Sequence, residues 1–318
     1  MSILRDAADG GDGYAEGKSW PALCCGYGAS RRLGTGGLET QALRDHGESL
    51  FETHTPLVNA VEWLLQADYA ARSSGTARAI LRRDAVERAL IDLLPDVDAI
   101  RVAGLDEDTP RPRVEVSTPY GWVSMRELSL GYQTMIAWVV DLAARMFEAY
   151  SDSDNPLHEA AVVLVDEIDL HLHPRWQREI TSYLDRLFPN VQFIVTAHSP
   201  LVVQGAGVTN VAVLRRNGDQ VEILNDPEAV RGWRVDQILT SDLFGLDSTR
   251  PADVERLFER QQQLVLLDEP TEAERSELRT IDEQLSRITP GETARDRETW
   301  TLVHELAAKL DKASGGGT

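Results

Sequence analysis

Hydrophobic positions recur with helical spacing from about Pro56 to Leu94. Val61, Leu64, Leu65 and Tyr69 share one face, and Val86, Leu90, Leu93 and Leu94 share another. The pattern then shifts to a shorter period. Val114 and Val116 run into Pro119-Tyr120-Gly121, and Trp122 and Ser124 follow, which predicts a β-hairpin. A long apolar helix is predicted from about Tyr132 to Tyr150. After it come two buried strands, Ala160 to Val165 and Gln192 to Ala197, separated by a helix over Arg175 to Leu187. Near-continuous apolar runs of this length mark strands covered on both faces, as in a parallel sheet. Ala22 to Tyr27 has the same character and leads into a Gly-rich turn bearing Arg31 and Arg32. Val211 to Leu214 and Val221 to Leu224 flank Asn217-Gly218, a hairpin turn pair. Beyond Pro251 the sequence is helical and charged, with Leu278, Ile281, Leu285 and Ile288 in 3-4-3 spacing and later Leu302, Leu306 and Leu310. Residues 1–19 read as a loose start and Ser-Gly-Gly-Gly-Thr as a flexible end. The middle of the chain is thus α/β and its last quarter α.

Composition narrows the class. The 318 residues carry 32 Lys plus Arg against 52 Asp plus Glu, a net charge of -20, with 42% hydrophobic and 26% charged residues. That is a globular composition, long enough for a sizeable core. No apolar run approaches the ~20 residues of a membrane span. Asp6, Asp9 and Asp12 are unlike a secretory leader. Cys24 and Cys25 are adjacent, which rules out a disulfide framework or a four-Cys zinc site, and a cytoplasmic home is expected. The acidic balance argues against a chain coated in nucleic acid, although a local basic patch would still allow contact with DNA.

Three segments carry candidate chemistry. Leu128-Ser129-Leu130-Gly131-Tyr132-Gln133 precedes the long helix, where free backbone N–H groups and the positive dipole end suit a phosphate. Ser is also a routine helix cap. Val162-Val163-Leu164-Val165-Asp166-Glu167 is a buried strand delivering two acids to the carboxyl edge of a sheet, where ligands of α/β proteins bind. One acid is suited to hold Mg²⁺ and the next to orient a water. Phe193 to Pro200 is a second strand ending in His198, with one strand–helix–strand unit between it and Asp166, so both tips emerge at one edge.

In this order the segments resemble the signature, Walker B and switch-His motifs of ABC-type ATPase heads. With Asp166-Glu167-Ile168-Asp169, His171-Leu172-His173-Pro174 and Thr196 to Pro200, the wording is similar to bacterial AAA-21-like ATPases allied to the RecF, SMC and overcoming-lysogenisation-defect groups. Gly26 to Arg32 and Gly232 to Leu239 add to the likeness, which covers roughly residues 22–250. The resemblance implies a P-loop NTPase parallel-sheet head over 1–250, with a helical insertion at about 56–112 and a helical appendage over 251–318. It also implies ATP and Mg²⁺ as cofactors. Glu167 and His198 would be catalytic, Asp166 a metal ligand, and Ser129, Gly131, Gln133 and Asp169 nucleotide contacts. Such heads work as homodimers that sandwich ATP, with Ser129 and Gly131 of one chain facing Asp166 and Glu167 of the other, and serve DNA repair or anti-phage defence.

The phosphate loop is where the chain departs from that family. The nearest approach to Gly-x-x-x-x-Gly-Lys-[Ser/Thr] is Gly13 to Ser19, one residue short because position 12 is Asp, and Trp20-Pro21 follows where a helix should start. The chain is therefore expected to be a head lacking the Walker A portion. A competing class is a non-catalytic interaction protein that keeps the fold. A transporter subunit fits poorly, because Glu167-Ile168-Asp169-Leu170-His171 departs from the transporter form. Leu264 to Thr271 spells a second Walker B, but Thr271 with Glu274 predicts a capping box in a helical hairpin. His171 and His173 are read as shaping a loop rather than holding a metal, and Arg31 and Arg32 as a solvated turn in preference to a contact with phosphate or DNA. No nuclease signature follows residue 250, so a nuclease is expected only as a partner protein.

Overall fold

The computed structural model describes residues 23–34, 47–52, 55–104, 112–206, 211–225, 232–267 and 269–287. The chain divides into two units, Met1–Leu246 and Asp247–Thr318. Gly13 to Ser19 and Leu302 to Leu310 lie outside the described residues.

The first unit begins with β1 (Leu23–Tyr27) and a short turn of helix, α1 (Glu48–Phe51). The predicted helical stretch after Pro56 forms two helices, α2 (Ala60–Ser74) and α3 (Ala77–Leu93). Their boundary is chemical. Asn59 caps α2 by accepting the Glu62 N–H at 3.3 Å, Gly75 ends it in the left-handed region at φ 59°, and Thr76 caps α3 through the Ala79 N–H. The segment 56–112 is not wholly helical, because it ends in β2 (Ala99–Ala103). β2 pairs antiparallel with β3 (Arg113–Thr118), which forms the predicted hairpin with β4 (Gly121–Ser124). Val114 and Val116 point inward from β3, whereas Glu115 binds Arg101, whose guanidinium lies 4.0 Å from the Trp122 ring centre.

A 3-10 turn at Met125–Glu127 leads into α4 (Leu130–Ala149), buried along most of its length. Trp138, Ile136, Leu142 and Met146 are fully enclosed, and each such side chain contributes about 1.5–3 kcal/mol on burial. One polar residue sits among them. Asp141, with no exposed surface, accepts the Tyr27 hydroxyl at 2.9 Å, the Val58 N–H at 2.9 Å and Arg145 Nε at 2.6 Å. Burial works against the Arg145 cation, but Asp141 outweighs it and holds the guanidinium's pKa raised. One carboxylate thus joins β1, the approach to α2 and the centre of α4.

β5 (Ala161–Val165), α5 (Pro174–Leu187) and β6 (Val191–Val195) form the strand–helix–strand unit read from the sequence. The parallel sheet has the order β1-β5-β6, with Leu23 opposite Ala161 and Tyr27 opposite Val165, then Ala161 opposite Val191 and Val165 opposite Val195. α6 (Pro200–Gly205) follows, then the hairpin β7 (Ala212–Asn217) and β8 (Gln220–Asn225), then α7 (Val235–Leu239). In the second unit, α8 (Ala252–Val265) packs on α9 (Glu272–Arg287), with Arg260 clamped on both Glu277 oxygens at 2.8 and 2.9 Å.

Candidate functional site

Parallel register brings the carboxyl ends of β1, β5 and β6 to one edge of the sheet. The ladder runs one step past the strands: the Asp166 N–H donates to the Tyr27 carbonyl at 2.8 Å, and the Thr196 N–H to the Val165 carbonyl at 3.0 Å. The chain then turns sharply. Glu167 has φ 47° and His171 φ 64°, a region that residues with a Cβ enter at a cost.

Thr196 is the node of this turn. Its hydroxyl donates to Asp166 Oδ1 at 2.6 Å and accepts the Glu167 N–H at 2.7 Å. Its carbonyl accepts the Ile168 N–H at 3.0 Å. Asp169 accepts the His198 N–H at 3.3 and 3.4 Å through its two carboxylate oxygens. Gln177 of α5 braces the loop from the far side, donating to the carbonyls of Asp169 and Leu172 while accepting the Ser199 hydroxyl at 2.8 Å. Asp166, Glu167, Asp169 and His198 therefore stand together, as expected, with His198 exposed.

The solvated-turn reading holds for Arg32, which is exposed, and fails for Arg31, which is 4% exposed. Arg31 Nη1 donates to the carbonyls of Gly28, at 3.0 Å, and Asp166, and Nη2 donates to the Glu167 carbonyl at 2.8 Å. Burial lowers the Arg31 pKa to about 10 despite the opposing charges of Asp166, Glu167 and Asp169. The motif segments contain Arg31 and Thr196 but do not give either of them this place in the turn. Thr196 carried a usable signal: in parallel register, the residue after Val195 lies beside the residue after Val165.

The segment before α4 meets this edge through Gly131. A Cβ at that position would overlap the His171 carbonyl oxygen, so only glycine allows the approach. Ser129 is the backbone N-cap of α4, exposed and without a side-chain cap bond. The Gln133 amide donates to the carbonyls of Arg126 at 3.0 Å and Leu128 at 2.7 Å, folding its own segment back. His173 caps α5 by accepting the Arg175 N–H at 3.3 Å. Among the described residues no group of three or more His, Cys, Asp or Glu is arranged to hold a metal. At the end of the second Walker B spelling, Thr271 caps the helix that follows: it accepts the Glu274 N–H at 3.3 Å, and the Glu274 carboxylate accepts the Thr271 N–H at 2.6 Å.

A family profile described as "AAA domain, putative AbiEii toxin, Type IV TA system" matches residues 43–204, just over half of the chain. The chain is 33% identical over 267 residues to Septu protein PtuA of Bacillus mycoides (strain KBAB4), covering 83% of this chain and 35% of that protein. It is 32% identical over 206 residues to "Retron Ec83 probable ATPase" of Escherichia coli, covering 65% of this chain and 35% of that protein. The chain thus spans about a third of the length of these curated relatives. A solved structure titled "Structural biochemistry of ATP-driven dimerization and DNA stimulated activation of SMC ATPases" aligns with TM-score 0.38 and 11% identity, covering 55% of this chain and 98% of that one. The SMC head domain from Thermotoga maritima aligns with TM-score 0.33 and 16% identity over 52% of each chain.

Proposed function

Because the chain belongs to the AAA-domain family matched over residues 43–204, we propose that it is an ATP-binding and ATP-hydrolysing head that works as a dimeric switch. The observation that carries this reading is the pair Asp166 and Glu167 at the carboxyl edge of the parallel sheet, each fixed by the Thr196 hydroxyl.

The donor set fits Mg²⁺. That ion takes oxygen ligands and is bound through one or two carboxylates together with substrate phosphates, rather than by an all-protein cage. Asp166 offers such an oxygen at the carboxyl edge of the sheet. When bound, the ion would neutralise charge on the phosphates. Asp166 would hold it, with Thr196 keeping the carboxylate turned to the edge. Glu167 would orient the attacking water and accept its proton, and His198, exposed on the tip of the neighbouring strand, would sense the terminal phosphate. Ser129 and Gly131 would face the nucleotide of a second copy, with Gln133 and Asp169 shaping the contact.

The likeness to Septu and retron proteins supports anti-phage defence, ahead of DNA repair, as the biological setting. A partner nuclease, contact with DNA and a cytoplasmic location belong to the same proposal. Among the described residues no helix is long and apolar enough to cross a membrane. A second reading, an interaction protein without turnover, is favoured by the departure of Gly13 to Ser19 from the phosphate-loop spelling.

Phosphate release from ATP separates the two. The protein produced from its natural gene should hydrolyse ATP only with Mg²⁺, and Asp166→Asn should lower turnover by about 10²-fold or more. Absence of Mg²⁺-dependent turnover in the unaltered protein would leave the interaction reading.

A further inference from the structure

We infer that Arg31 is a positioning residue that locks the main chain on both sides of Glu167 and so holds the left-handed turn from which that carboxylate is presented. The inference rests on Glu167 being the group that orients water.

The conformation of Glu167 is set by two peptide planes, the one before its Cα and the one after it. Both are pinned by the same two residues. In the preceding plane, the Asp166 carbonyl accepts from Arg31 Nη1 and the Glu167 N–H donates to the Thr196 hydroxyl. In the following plane, the Glu167 carbonyl accepts from Arg31 Nη2 and the Ile168 N–H donates to the Thr196 carbonyl. With both planes fixed, φ and ψ at Glu167 have little freedom, and φ stays at 47° although the residue carries a Cβ. A positive φ in a non-glycine residue persists only where its surroundings over-determine it.

Arginine chemistry suits the task. Its guanidinium is a rigid planar fork that reaches two carbonyl oxygens at once, whereas the lysine ammonium is a point charge on a flexible stem. Arg31 Nη1 also binds the Gly28 carbonyl at 3.0 Å, which ties the turn after β1 to the turn after β5. The buried Nε has no hydrogen-bond partner, so the fork acts through its two terminal nitrogens. Nη1 makes two bonds to main-chain oxygens and Nη2 one, and the bonds to the Asp166 and Glu167 carbonyls assign Arg31 an action through Glu167.

The test is made on the protein produced from its natural gene, first without nucleotide. Arg31→Met should speed hydrogen exchange of the Glu167 and Ile168 amides by about tenfold or more, while the amides of β5 and β6 keep their protection. Arg31→Lys, which keeps the charge but not the fork, should show the same local loss. Wild-type exchange in Arg31→Lys would contradict the role given to the fork. A double-mutant cycle supplies the second readout. In a Glu167→Gly background, where positive φ is no longer costly, the fall in melting temperature caused by either Arg31 substitution should shrink to less than about half. An equal fall in both backgrounds with unchanged exchange would overturn the inference and leave Arg31 as buried packing. With ATP, kcat should drop while KM stays within about threefold. A rise in KM at constant kcat would instead make Arg31 a nucleotide contact. Absence of turnover in the unaltered protein defeats the ATPase reading, yet the exchange and cycle measurements still decide the lock.

Discussion

Cys24 and Cys25 are neighbours in sequence and opposites in environment. β1 alternates only at that point, so Cys24 faces out while Cys25 is enclosed with Leu23 and Tyr27. Burial pushes the Cys25 thiol up to about 12 from its ordinary 9.0, with Arg145 opposing and Asp141 adding to the rise. Tyr27 moves in the same direction for the same first cause. A thiol that resists ionisation in the folded state contributes stability that is full below pH 9.0 and is lost as pH climbs toward about 12. Alkylation at pH 8 should therefore label Cys24 and spare Cys25 until the protein unfolds. Urea midpoints should fall steeply above pH 9.0, and less steeply in Cys25→Ala. Rapid labelling of both thiols in the folded protein would contradict this assignment. Residue identity alone had marked the pair only as evidence against disulfides and zinc. The contrast between them becomes visible once the strand and its covered face are known. Arg31 shows the same limit, since an arginine in a Gly-rich turn is read as solvated until the edge of the neighbouring strand is placed beside it.

At the level of elements, the long apolar helix was legible from its length and the two buried strands from their short runs of β-branched residues. α4, β5 and β6 fall within about two residues of the expected bounds. β2 was not, because its pattern Ala-Ile-Arg-Val-Ala carries no strong alternation and becomes a strand through pairing with β3. The same holds for the split of α2 from α3, which depends on a left-handed Gly75 rather than on hydrophobic period. Asp141 tests how the elements are joined. It is a charge in the middle of a mostly apolar helix, and its three partners come from α4, β1 and the approach to α2. Asp141→Ala removes the shared acceptor of the Arg145 guanidinium, the buried Tyr27 hydroxyl and the Val58 N–H, and should destabilise the protein by about 3–5 kcal/mol. Tyr27→Phe removes one bond and should cost only about 1 kcal/mol. Equal losses in denaturant unfolding would mean that the three contacts do not depend on the carboxylate.

Across the whole molecule, the parallel sheet serves to bring distant segments to one edge: the Gly28–Arg31 turn, the Asp166–Asp169 turn and the Thr196–His198 tip. The motif order predicted that meeting for the last two, because a strand–helix–strand unit admits only one arrangement of its tips. The meeting with Arg31, and the approach of Gly131 to His171, depend on packing that spacing does not encode. The second unit is a different kind of object, a charged helical hairpin in which Thr271, inside a Walker-like spelling, forms a reciprocal cap with Glu274. In the proposed function, Glu167 is the water-orienting carboxylate of an ATP-hydrolysing head. Its most direct test compares unaltered protein with Glu167→Gln, measuring ATP binding and phosphate release on the same preparations. The amide keeps the side-chain shape but cannot take a proton, so nucleotide affinity should be retained while turnover falls by about 10²-fold or more. Turnover that survives the substitution at the unaltered rate would contradict the account.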